Sequence, residues 1–78
     1  MNEFDLQGEA DYRIWCERST IADCLRTIGL PIMAAKAMDY ETPREIIDRF
    51  LNIIKREATI AKRHDVLEQL HFAGLIYG

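Results

Sequence analysis

Residues Thr42 to Ala61, TPREIIDRFLNIIKREATIA, constrain this chain more than any other stretch. Thr42 has the hydroxyl of a good N-cap, able to accept an unpaired N–H of a first helical turn. Pro43 would then fall at the first helical position, where its fixed φ fits and its missing N–H costs nothing. Glu45 would complete a reciprocal capping box with Thr42. The three cues predict a helix over about 43–62. At 100° per residue, Ile46, Ile47, Phe50, Leu51, Ile54, Ala58 and Ala61 share one face of it. Ile53 and Ile60 widen that face at one edge. A stripe so broad needs at least two neighbours, in the same chain or in another. Glu57 lies at its edge, so either the carboxylate reaches outward or the helix bends there.

The other segments read as partners for this helix. A helix is expected over about 10–28, with Ile14, Ile21, Leu25 and Ile28 in line, Arg18 at the edge of the stripe, and Trp15, Ala22 and Cys24 flanking it. Thr20 and Asp23 would suit a second capping box, but the stripe keeps its phase across Ser19, so the helix should be continuous. Gly29 should end it, and Pro31 prevents its continuation. Residues 1–9 read as a flexible acidic arm. PIMAAKAMDY, residues 31–40, predicts a short helix that is apolar nearly all round. Such a helix is either a buried connector, the reading favoured by the general rule for apolar runs, or a surface open to a partner. Asp65 and Glu68 suit another capping box, so a last helix is expected over about 65–73, capped by Gly74. Val66, Leu67, Leu70 and Ala73 give it an apolar side. Leu75, Ile76 and Tyr77 should tuck back or be covered by another chain.

The pattern is that of an all-α bundle of three to four helices in one domain spanning 1–78. A chain of 78 residues buries only about 60% of its unfolded surface, so self-association is a common remedy. An apolar share of 49% and a charged share of 29% suit a packed core and argue against disorder. The net charge of −3 is uneven. Glu3, Asp5, Glu9 and Asp11 precede any basic residue, whereas Lys55, Arg56, Lys62 and Arg63 lie late. No leader pattern and no membrane-length apolar run is visible. Cys16 and Cys24 on one helix would lie about 12 Å apart along its axis, beyond disulfide reach. Free thiols suit a cytoplasmic location.

Catalytic candidates are weak. His64, Glu68 and His71 have i, i+4, i+7 spacing, which aligns metal ligands on one helix face. With Asp65 as N-cap, however, His64 falls outside the helix, and surface polar residues are the simpler reading. A cysteine nucleophile needs an adjacent base, and both cysteines are far in sequence from both histidines. Cys24 reads as core, and Cys16 as a helix-surface or interface thiol. No phosphate loop, nucleophile elbow or zinc-type cysteine pair occurs. Neither cofactor nor metal is expected, and the chain reads as non-enzymatic.

Binding features are stronger. If the central helix reached Arg63, then Lys55, Arg56, Thr59, Lys62 and Arg63 would share its outer face with Asn52. That stripe is first a solvated face, and otherwise a contact for phosphates, for an acidic protein, or for the acidic arm within the chain or across a dimer. Tyr12, Trp15, Met33, Met38, Tyr40 and Tyr77 are the candidate anchors for a protein partner. The expected role is a small protein-binding regulator or inhibitor that occupies a partner's surface, working as a homodimer. In size and lack of catalytic motifs the chain is similar to the short inhibitors carried by phages and other mobile elements. DVLEQLHFAGLIYG, through Leu67, Leu70 and Gly74-Leu75-Ile76, resembles the end of a winged-helix recognition helix and its turn into the wing. That resemblance implies the alternative role, a helix-turn-helix DNA-binding regulator in which Gln69 or His71 would read bases.

Overall fold

The computed structural model describes the backbone of residues 3–76 and the side chains from Tyr12 to Ile76. Tyr77 therefore lies outside the described residues. The chain forms α1 (Glu3–Thr27), α2 (Pro31–Ala37), α3 (Arg44–Ile60) and α4 (His64–Phe72). No strand occurs among the described residues, so the expected all-α bundle is the architecture found.

α1 runs unbroken through Ser19 and Thr20. It starts at Glu3, not near Ala10 as expected. Acidic residues in the first turns oppose the positive end of the helix dipole, which favours a helical start. A helix of 25 residues is roughly 37 Å long at 1.5 Å per residue. That length explains why the molecule measures 46 Å in one direction and only 25 and 18 Å in the others.

Three helices end in the same way. At Gly29 (φ +88°) the N–H donates to Arg26 O at 3.1 Å, and Leu30 N–H donates to Leu25 O at 2.8 Å. At Gly74 (φ +73°) the equivalent bonds go to His71 O and Leu70 O, both at 3.0 Å. Glycine suits both positions because it enters the left-handed region without strain. α3 closes with the same pair of bonds, but on Lys62 (φ +57°). Lys62 N–H reaches Thr59 O at 3.2 Å, and Arg63 N–H reaches Ala58 O at 2.8 Å. A lysine in that conformation is strained, since its Cβ crowds the backbone. α3 therefore stops at Ile60, short of the expected 62, and Ala61–Arg63 make the turn into α4.

Two helix starts differ from expectation. Thr42 does not cap α3. Its hydroxyl donates to Lys36 O at 2.7 Å, closing the loop after α2. The capping box with Glu45 therefore does not form. Pro43 is the N-cap residue, and its carbonyl accepts from Ile46 N–H (3.0 Å) and Ile47 N–H (3.2 Å). Asp65 is likewise not the cap of α4. Arg63 holds that place, without a side-chain cap bond. Asp65 is instead gripped by the Arg63 guanidinium, at 3.1 Å to Oδ1 and 2.8 Å to Oδ2. A planar guanidinium matches a carboxylate in this two-bond geometry.

The core draws on all four helices. Ile21, Ala22, Cys24 and Leu25 of α1 meet Ala34 and Ala37 of α2. Ile47, Phe50, Leu51, Ile54 and Ala58 of α3 and Val66 and Leu70 of α4 complete it. Each fully buried Ile or Leu among these contributes about 1.5–3 kcal/mol of transfer free energy. The predicted α3 face is thus mostly core, with Ile46 and Ile53 packed at its border. Ile60 and Ala61 are exposed. Glu57 resolves outward, with its side chain 46% exposed beside Arg56. Leu75 and Ile76 pack against the core, as expected of an apolar tail.

α2 is shorter than expected and one-sided. It ends at Ala37, and only Ala34 and Ala37 are buried. Met33 and Met38 pack partly against the core, whereas Ile32 is 77% exposed. It is therefore not the buried connector expected, because neighbours cover only one of its sides. The loop after it is pinned from α1. Arg18 donates to Asp39 O (2.8 Å) and Thr42 O (3.0 Å), and its guanidinium lies 5.8 Å from the Tyr40 ring centroid. Beside it, Glu17 Oε1 meets the Arg44 guanidinium in an ion pair that ties α1 to the start of α3.

Candidate protein-binding surface

The N-terminal half of α1 carries the stripe past the end of the bundle. Ile14 lies one heptad before Ile21, on the same face. Ile21 is fully buried, but Ile14 is 43% exposed. α2, α3 and α4 cover the later part of α1 and leave the earlier part open. Trp15 (46% exposed) and Tyr12 (65%) are open on a neighbouring side of the same helix, three residues apart. Their rings stack, with centroids 6.3 Å apart and planes at 23°. An amphipathic aromatic pair on a rigid helix offers contact area at low entropic cost.

A groove of about 360 Å³ runs beside this pair. Tyr12, Cys16 and Thr20 line one wall, and Ala73 and Leu75 line the other. Arg13 and Glu17 also border it, so its walls offer a thiol, a phenol, a hydroxyl, a guanidinium and a carboxylate. Cys16 raises the Tyr12 pKa, through a hydrogen bond first, then its charge, with a smaller effect of burial. No histidine borders the groove, so the Cys16 thiol has no imidazole base there. Cys24 lies in the core, where burial, and after it the negative charges of Asp23 and Asp65, push the thiol up to about 11. A group so placed stays a neutral thiol and acts as a small apolar side chain.

The remaining candidates scatter. Tyr40 is exposed but stands at the Arg18-pinned loop, apart from the groove walls. Met33 and Met38 are half buried against the core, which limits what they can offer a partner. The basic residues do not form one stripe. Lys55 and Arg56 are exposed on α3, Lys62 lies in the turn, and Arg63 is held by Asp65. That grip keeps the Asp65 carboxyl down at about 2.

His64, Glu68 and His71 do fall within α4, since it starts at His64. All three are exposed, and no trio of histidine, cysteine or carboxylate groups converges as metal ligands would among the described residues. No helix among the described residues is long and apolar enough to cross a membrane. Phe72 (80% exposed) and Ile32 are open apolar residues that sequence reasoning does not mark as surface, and Ile60, expected at the edge of the α3 face, is open too. The signal for Phe72 was present: it lies off the Val66–Leu70 side of its own helix. No protein-family model matches the chain, and neither does any curated protein or solved structure.

Proposed function

We propose that this protein is a non-enzymatic helical regulator or inhibitor that acts by occupying the surface of a protein partner, as a homodimer. The observation that carries the reading is the exposed Tyr12–Trp15 ring pair, with Ile14 also open, on a helix that continues beyond its own core. Aromatic anchors on rigid elements are what protein interfaces use as hot spots. The groove beside them offers shape, and no histidine is among its lining residues. Trp15→Ala and Tyr12→Ala should weaken capture of a protein partner at least tenfold while leaving the unfolding midpoint nearly unchanged. Loss of stability without loss of capture would refute the assignment of these side chains to an interface.

The second reading, a helix-turn-helix DNA-binding regulator, is favoured by one observation. Only Ala61–Arg63 separate α3 from α4, a turn of the length that motif uses. The charges oppose it. The exposed part of α4 carries Asp65 and Glu68, which repel phosphate, and Arg63 is engaged with Asp65. A gel shift on random duplex at low salt separates the readings, since phosphate-driven binding is strong there and falls steeply with salt.

A further inference from the structure

We infer that the N-terminal half of α1 docks along the outer face of α3 in a second copy of this chain. The inference rests on the protein-binding reading for its premise that another polypeptide covers the open end of α1. It adds which surface does so.

The outer face of α3 carries Arg49, Ile53, Arg56 and Ile60. Their spacing of four, three and four residues sets them in one line along the helix. Arg49 and Arg56 are exposed, Ile53 is half buried and Ile60 is 71% exposed. Among the described residues Arg49 makes no ion pair, and Arg56 has only a 3.6 Å contact with its neighbour Glu57. This is one line along which positive and apolar side chains alternate. α1 supplies the complement. Its residues 3–15 contain Glu3, Asp5, Glu9 and Asp11 against the single basic residue Arg13, and they include Tyr12, Ile14 and Trp15.

The two surfaces also match in length. Glu3 to Trp15 spans roughly 18 Å of helix, and Arg49 to Ile60 roughly 17 Å, at 1.5 Å per residue. They cannot meet within one chain. Glu17 pairs with Arg44 at the very start of α3, while Glu57 and Ala61 border the groove at Thr27–Gly29. α3 therefore runs alongside the later part of α1, in the same direction. Residues 3–15 lie beyond its beginning, because α1 is straight-through helix from Glu3. A second copy turned about a two-fold axis makes the contact twice and leaves no open end.

The test is molar mass in solution against concentration, at low and high salt, on the full chain. The expected result is a monomer–dimer equilibrium that weakens as salt screens the pairing. The double variant Arg49→Glu/Arg56→Glu should raise the dissociation constant at least tenfold with helix content unchanged. Adding to that chain Glu3→Lys/Asp11→Lys, which share the Ile14 side of α1, should bring dimerisation back. A monomer at every concentration would overturn the inference. So would a dimer indifferent to the first pair of reversals, or one that the second pair does not rescue. If the chain stays monomeric while Trp15→Ala still abolishes partner capture, the docking inference fails and partner binding stands. If the anchors prove dispensable for capture while the charge swap behaves as stated, the reverse holds.

Discussion

Ile14 and Ile21 are the same residue, one heptad apart on one face of one helix, and they meet opposite surroundings. Ile21 is fully enclosed by the other helices, whereas Ile14 is 43% exposed. The helix does not change between them, but its neighbours end. Periodicity predicts which residues share a face. Only the lengths and directions of the other elements decide how much of that face is covered. The covered half of α1 is what holds the fold together, and the open half is where the proposed partner would dock.

Substitution should separate the halves sharply. Ile21→Ala empties a closed site and should cost about 2–4 kcal/mol, read from urea unfolding. Ile14→Ala at a concentration where the chain is monomeric should cost under about 1 kcal/mol, as partly exposed sites do. Equal losses would mean that Ile14 is also core. Next in size is Arg18, which marks the boundary between the halves. Arg18→Ala removes two charge-assisted bonds to the Asp39 and Thr42 carbonyls. It should cost about 1.5–3 kcal/mol and raise amide exchange in the loop between α2 and α3. Smaller, and of opposite sign, is Lys62→Gly. It relieves a left-handed lysine and should stabilise the chain by about 0.5–1 kcal/mol, without altering association.

The smallest effect concerns Asp65, remote from the open half. Its carboxyl is held down by Arg63, at about 2 against an ordinary 3.8. A group whose pKa is depressed on folding contributes stability above its unfolded value and loses it as pH falls towards the folded one. Stability should therefore decline slightly between about pH 4 and pH 2. In Arg63→Gln the Asp65 titration, followed by NMR, should return towards the ordinary value.

Much of the fold was legible in local signals. Gly29 and Gly74 end helices where their backbone freedom predicts. The α3 face from Ile47 to Ala58 is core, and Cys24 is enclosed. The misreadings share a physical cause, a competing partner. Thr42 has the chemistry of a cap, but its hydroxyl found the Lys36 carbonyl six residues back. Asp65 found Arg63 instead of the helix amides. Lys62 ends α3 with no glycine to announce it. The acidic start reads as an arm by composition, yet acids belong at a helix N-terminus. The candidate site was half legible. Tyr12 and Trp15 stood out as large aromatics, but nothing near Ile14 in sequence tells where α3 begins beside it.

Trp15 is the only tryptophan in the chain and lies on the open half of α1. Its fluorescence emission as a function of protein concentration tests the account directly. Covering of the open helix by a second copy predicts emission that shifts to shorter wavelength as concentration rises, and that stays at the solvent-exposed value in the Arg49→Glu/Arg56→Glu chain. Emission at the solvent-exposed wavelength at every concentration would contradict it.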